Sequence, residues 1–105
     1  MFSFLKSNFD VINVNDIDSI LSNIDLIDIR EISEYKRGHI KHTKNIPMGN
    51  LLDSPDKFLK KDKKYYIMCQ SGGRSKMASS KLSKLGFDIV NVAGGYGSYL
   101  GKFKA

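Results

Sequence analysis

Short apolar runs alternate with segments of helical periodicity along this chain, and the alternation constrains the fold more than any other feature of the sequence. The runs have the length of strands rather than helices. They lie at 11–14, 26–29, 65–68 and 88–92. Helical patterns are predicted in the intervening segments, over 15–24, 31–36 and 75–85. This alternation predicts an α/β fold in which a mostly parallel sheet is covered by helices on both faces.

The remaining segments are less regular. Residues 39–50 are predicted to be mostly loop, with a short strand at 44–46. A turn or short helix is predicted at Ser54, with Pro55 in the first helical position, and a final helix over 96–103. The chain of 105 residues is 41% hydrophobic, which is the size and composition of one domain with one core. We therefore expect a single domain over 1–105.

Composition and charge limit the classes of partner that we expect for this protein. No apolar run is long enough to span a membrane, and the opening residues 1–6 are too short for the core of a signal peptide, so we expect a soluble, cytoplasmic protein without a membrane partner. The net charge is +6, but fourteen of the seventeen basic residues are lysines scattered along the chain. Nucleic-acid binders usually concentrate arginines and aromatics on one face. The charge therefore favours a solvated lysine surface that attracts small anions, and no nucleic-acid partner is expected.

Cys69 is the only cysteine, which excludes an internal disulfide and any zinc site built from several thiolates, and no metal or organic cofactor is expected. It lies between a predicted strand and a predicted helix. The segment reads Cys69-Gln70-Ser71-Gly72-Gly73-Arg74-Ser75. Two glycines allow successive N–H groups to converge on one hollow that the following helix dipole also faces. A thiol there becomes a low-pKa nucleophile. The pattern alone also fits a tight turn beside a buried, inert cysteine.

Several motifs in order resemble the rhodanese family of sulfurtransferases over nearly the whole chain. Residues 26–31, then Glu34-Tyr35 and Gly38-His39-Ile40, resemble the family's amino-terminal signature. Asn45-Ile46-Pro47 resembles the tripeptide that follows it, and residues 69–75 resemble the active-site loop. Val92-Ala93-Gly94-Gly95 resembles the Gly-Gly motif near the carboxyl end.

The resemblance implies a rhodanese-like fold with a central parallel sheet of five strands. It implies that Cys69 accepts a sulfane sulfur from thiosulfate or another small anionic donor and passes it to cyanide or a thiol. The loop residues Gln70, Ser71, Gly72, Gly73 and Arg74 would bind the substrate and stabilise the persulfide. Ser75, Asp28 and Arg30 would support the site. Asp28 and Arg30 are expected to form a buried ion pair that braces the strand ends, a place on the rim of the site being the alternative.

The chain departs from the family pattern in two places. Many relatives carry a tryptophan after the Gly-Gly motif, whereas this chain has none, and Tyr96 or Tyr99 is expected to take over its packing. The loop carries neutral Gln70 and Ser71 where some thiosulfate-preferring members have a second basic residue. This departure counts against thiosulfate as the natural donor. His39 is expected to have a structural role rather than to act as a base.

Three functions compete. The first is catalytic sulfur transfer between small molecules. The second is a sulfur relay, in which the persulfide passes its sulfur to a protein acceptor. The third is a cysteine-dependent phosphatase or arsenate reductase. Four residues separate Cys69 from Arg74, and phosphatase loops are one residue longer, so the loop length favours sulfur over a tetrahedral oxyanion.

Overall fold

The structure is a computed structural model that describes residues 9–105. The opening segment 1–6, considered above as a signal peptide, lies outside the described residues. No helix within residues 9–105 is both long enough and apolar enough to cross a membrane.

Within the described residues, five parallel strands form one sheet, which confirms the predicted α/β class. They are β1 (Asp10–Asn13), β2 (Leu26–Asp28), β3 (Thr43–Asn45), β4 (Lys64–Met68) and β5 (Asp88–Ala93). Their spatial order is β1-β5-β4-β2-β3, so β4 lies at the centre between β5 and β2. All the pairs are parallel, and the strands therefore end at the same edge of the sheet. Cys69 follows β4 at the middle of this carboxyl edge, where α/β proteins place their sites.

Residues 9–105 contain three α-helices, which are α1 (Ile32–Arg37), α2 (Met48–Asp53) and α3 (Gly73–Lys84). The longest is α3, predicted over 75–85, and it begins two residues earlier than predicted. Its inner face buries Ala78 and Leu82. These side chains follow the i, i+4 spacing of one helical face, which is why the sequence made α3 easy to recognise.

Two apolar clusters cover the two faces of the sheet. The first joins Ile67 of β4 to Leu51 of α2 and Leu82 of α3. The second contains Met68 and Tyr99 and is covered by short 3-10 turns and the carboxyl-terminal segment. Helical segments therefore lie on both faces of the sheet, as predicted. The first face is covered by α-helices, whereas the second is covered by 3-10 turns.

The predicted helix over 15–24 is wrong. The structure has two 3-10 turns there, Val14–Asp16 and Leu21–Asn23. The side chain of Asn13 caps the first turn by accepting from the Asn15 N–H. The segment is rich in β-branched isoleucine and in Asn, Asp and Ser, all of which favour other conformations over the helix interior. Its apolar residues still enter the core, because Ile17 and Leu21 are buried.

The predicted loop over 39–50 also required correction. It contains β3 close to the predicted position, but α2 begins inside it directly after Pro47. Gly49 and Asn50 are poor helix formers, so no helix is predicted there from local propensity. The burial of Leu51 against the core accounts for the helix. The predicted turn at Pro55 is present as a 3-10 turn over Pro55–Lys57, although the Ser54 side chain does not cap it.

The predicted final helix over 96–103 is wrong as well. Only a 3-10 turn over Tyr96–Ser98 forms, and the chain then leaves in an extended path that bridges Lys104 to Ile40. Gly97 and Gly101 weaken a helix in this segment. Instead of a helix, hydrogen bonds of the buried Tyr99 side chain hold this segment. Its hydroxyl donates to Asp18 at 2.6 Å and accepts from the Phe103 N–H. Tyr99 is one of the two tyrosines expected to pack in place of the tryptophan of the family pattern, and its side chain is buried.

Candidate active site

The Cys69 side chain is fully buried at the carboxyl edge of the sheet. Its sulfur accepts hydrogen bonds from the backbone N–H groups of Gly72, at 3.1 Å, and Ser75, at 3.3 Å. Gly72 has a φ of +107°, a left-handed conformation that costs a side-chain-bearing residue energy. This conformation turns the loop so that the first turn of α3 points its N–H groups at the sulfur.

The pKa of Cys69 lies below its ordinary value. Burial alone raises the pKa of a thiol. Hydrogen bonds from the Ser75 side chain and from the backbone N–H groups of Ser75, Gly72 and Ser71 outweigh that penalty. The Ser75 hydroxyl lies within hydrogen-bond distance of the Gly72 carbonyl as well, so its one proton has two available acceptors. The site therefore favours a thiolate without a histidine base.

Arg74 lies beside the loop but is bound to a carboxylate. Its two terminal nitrogens donate to the two Glu34 oxygens, at 2.8 and 2.9 Å. Glu34 also accepts from the Glu31 N–H, and the two glutamates form a capping box at the start of α1. The positive charge of Arg74, predicted to help bind the sulfur donor, is thus paired with the carboxylate of Glu34. Glu34 is recognisable in the sequence only as part of the resemblance to the family signature, because its partner Arg74 is forty residues away.

This ion pair predicts a pH-dependent stability. Hydrogen bonding to Arg74 lowers the pKa of Glu34 from 4.5 to about 2. A carboxyl group with a lower pKa in the folded state adds stability above pH 4.5, and this stability is lost as the pH falls toward about 2. The pair is partly exposed, at 39% for Arg74 and 21% for Glu34, so we expect only about 1 kcal/mol.

We therefore expect Glu34→Gln to lower the free energy of unfolding by about 1 kcal/mol near neutral pH. The difference from the parent protein should shrink as the pH is lowered below about 4.5. Urea unfolding of both proteins across this pH range measures the difference in the free energy of unfolding. Asp16→Asn is the matched control, because Asp16 is exposed and forms no ion pair within residues 9–105. A difference that stays constant with pH would contradict the assignment.

The predicted buried pair of Asp28 and Arg30 is present. Arg30 Nη2 donates to Asp28 Oδ2 at 2.8 Å, and its Nε donates to Oδ1 at 3.0 Å. The same guanidinium donates to Gln70 Oε1 at 3.0 Å and to the Gly38 carbonyl at 2.8 Å. Arg30 therefore ties β2 to the loop that carries Cys69. The Gln70 side chain is held by this contact.

The Gly-Gly motif holds the other side of the loop. The Tyr96 N–H donates to the Cys69 carbonyl and the Gly97 N–H donates to the Gln70 carbonyl, both at 2.9 Å. A Cβ on Gly95 would lie only 2.5 Å from both carbonyl oxygens. The Tyr96 ring also covers the Arg30 guanidinium at 4.4 Å. The contact between the Gly-Gly segment and the loop has no local signal in the sequence, because it joins residues far apart in the chain.

The other predicted residues have simpler positions. Ser71 and Gly73 are exposed at the surface of the loop. The His39 ring stacks on Tyr35 and donates from Nδ1 to the Tyr35 carbonyl at 3.0 Å, as expected for a structural role. Within residues 9–105 no group of three His, Cys, Asp or Glu side chains is placed to hold a metal ion.

Comparison with known proteins identifies this arrangement. The rhodanese-like domain family profile matches residues 13–102. The putative sulfur carrier protein YrkF of Bacillus subtilis is 36% identical over 76% of this chain and 43% of YrkF. The putative sulfurtransferase YtwF of the same organism is 42% identical over 75% of this chain and 76% of YtwF.

A solved structure shares the fold. The reduced Bacillus anthracis CoADR-RHD crystal structure superposes with a TM-score of 0.80 and 35% identity, covering 91% of this chain and 17% of that one. The chain thus spans less than half the length of YrkF and about a sixth of CoADR-RHD. The loop geometry, the sheet order and the family match agree, and the chain belongs to the rhodanese-like domain family.

Proposed function

We propose that this domain transfers sulfane sulfur through a persulfide on Cys69. The observation that carries the proposal is the buried Cys69 sulfur, which accepts N–H bonds from Gly72 and Ser75 and has a lowered pKa. The same cradle of N–H groups suits the anionic outer sulfur of a persulfide. The names of the relatives, a sulfurtransferase and a sulfur carrier, support the same chemistry.

The proposed reaction has two displacement steps. The Cys69 thiolate attacks the sulfane sulfur of the donor, the bond from that sulfur to the donor breaks, and the donor leaves with the electron pair. With thiosulfate the leaving group is sulfite. Cyanide or a thiolate then attacks the outer sulfur of the persulfide, the S–S bond breaks, and Cys69 is released as a thiolate. Charge balances in both steps, and no redox cofactor is needed.

We propose a small persulfide rather than thiosulfate as the preferred donor. Thiosulfate is a dianion, and an arginine beside the thiolate would help it to approach. Here the Arg74 charge is matched by Glu34, and the loop side chains Gln70 and Ser71 are neutral. A donor of lower charge avoids repulsion by the Cys69 thiolate without needing a free cation.

Mass spectrometry tests the covalent intermediate. Incubation with cysteine persulfide, a monoanion at neutral pH, or with thiosulfate, with no acceptor present, is expected to add the mass of one sulfur atom to the peptide that contains Cys69. Cyanide should then remove it and form thiocyanate. We expect cysteine persulfide to load the protein faster than thiosulfate at equal concentration. An unchanged mass with both donors would overturn the persulfide mechanism.

A further inference from the structure

A row of residues on α3 begins at the catalytic loop and faces solvent. The row lines a groove of about 440 Å³ and consists of Gly73, Lys76, Met77, Ser80, Lys81 and Lys84. The intervals between these positions are those of one helical face. We call this row the basic stripe. At about 1.5 Å per residue it runs roughly 16 Å away from the mouth of the loop.

The lysines of the basic stripe are exposed and unmatched by acidic groups. Lys76, Lys81 and Lys84 form no ion pair within residues 9–105. The sequence of α3 contains no Asp or Glu. Arg74 follows Gly73 in the chain but is not part of the row, and it is instead paired with Glu34. The helix therefore keeps its free positive charge outside the hollow, along the surface that leads to it.

The basic stripe also contains an apolar contact point. Met77 is 57% exposed, although the opposite face of the same helix buries Ala78 and Leu82 completely. Met77 lies between Lys76 and Lys81 on the stripe, one helical turn beyond Gly73. A flexible thioether surrounded by cations is a suitable surface for another protein, because it adapts to different partners while the charges orient them.

We propose that the basic stripe docks an acidic protein that presents a cysteine thiol, and that this protein is the sulfur acceptor. The inference rests on the proposed persulfide function and names its partner. With acidic side chains along Lys76, Lys81 and Lys84, the acceptor thiolate reaches the loop at Gly73. It attacks the outer sulfur of the Cys69 persulfide, the S–S bond breaks, and the Cys69 thiolate leaves. The acceptor cysteine carries the persulfide away.

Two cysteine peptides of equal length test the stripe, one with glutamates around the cysteine and one with glutamines in their place. Each is mixed with protein preloaded with sulfur, and the rate of transfer is followed by mass. In the parent protein the glutamate peptide should react faster. The triple variant Lys76→Gln, Lys81→Gln, Lys84→Gln should lower its rate about tenfold, the lower end of electrostatic steering. Rates with the glutamine peptide and with free cysteine should be unchanged.

A second triple variant controls for overall charge. Lys44, Lys57 and Lys60 are exposed and line a separate cavity with Asp25 and Lys63, at the amino ends of the strands. Changing these three lysines to glutamine removes the same charge far from Cys69, and we expect less than about a twofold effect on the glutamate peptide. Equal losses in the two triple variants would overturn the stripe and leave only a general attraction.

Three further outcomes would contradict one proposal or the other. The parent protein and the stripe variant are also compared for binding of transfer RNA. If the variant has lost RNA binding that the parent protein shows, while its rate with the glutamate peptide is unchanged, the stripe binds RNA and the protein-docking proposal is wrong. If the parent protein fails to load sulfur or to pass it to free cysteine, the proposed function itself fails. Normal transfer to free cysteine with no preference for the glutamate peptide would overturn only the docking inference.

Discussion

Replacing Cys69 with serine is expected to lower sulfur transfer by about 10³-fold or more, because a hydroxyl does not ionise near neutral pH and cannot act as the leaving thiolate. The remaining loop, with its N–H groups from Gly72 and Ser75, stays in place. Thiocyanate formation from thiosulfate and cyanide measures the loss. No other cysteine is present in the chain to replace the nucleophile.

The fold of this variant provides the control. Serine is smaller than cysteine, and its oxygen can accept the same two N–H bonds, so the free energy of unfolding should change by only about 1 kcal/mol. Circular dichroism and urea unfolding check this. Sulfur transfer at the parental rate in a folded Cys69→Ser protein would show that the nucleophile lies elsewhere. Loss of the fold would favour a purely structural cysteine.

Replacing Gly95 with alanine is expected to have the largest effect on stability. Gly95 has a φ of +65°, and a Cβ there would meet the carbonyl oxygens of Cys69 and Gln70 at 2.5 Å. With its ψ of −173°, Gly95 lies in a backbone region almost restricted to glycine, where alanine costs about 1–3 kcal/mol, and backbone crowding adds about 1–3 kcal/mol. We expect a total loss of about 2–6 kcal/mol in the free energy of unfolding. The shifted loop should also slow sulfur loading of Cys69.

Gly49→Ala is the matched control for this substitution. Gly49 lies in α2, has no positive φ, and a Cβ there meets no atom within 4 Å. Alanine should stabilise this helix by about 0.5 kcal/mol and leave sulfur loading unchanged. Urea unfolding of the two variants compares the same chemical change in two settings. Similar effects in both would show that the Gly-Gly segment does not hold the loop.

The sequence by itself determined the class of fold and the position of Cys69. Apolar runs at 26–29, 65–68 and 88–92 are long enough only for strands, and strands separated by helices pair in parallel. Parallel pairing places the residue after each strand at one edge of the sheet, so the sequence alone assigns Cys69 to that edge. The glycines after it predicted the convergent N–H groups because backbone conformation is a local property.

Only the tertiary structure decided which charges meet across long stretches of the chain. Arg74 and Glu34 are forty residues apart, and the predicted role of Arg74 as an anion site took no account of this partner. The contacts of Gly95 with the loop and of Arg30 with Gln70 also join residues that are far apart in sequence. Such contacts depend on where whole elements pack. Packing depends on all the side chains of the core together, so it cannot be predicted from a short window of sequence.

The same reason explains the errors in secondary structure. Between 15 and 24 the apolar spacing favoured a helix, but the burial of Ile17 and Leu21 needed only two short turns. At 48–53 the local propensity was poor, and burial of Leu51 in the core nevertheless stabilised α2. Periodicity identifies which side chains enter the core. The conformation that carries them there is decided by the surface against which they pack.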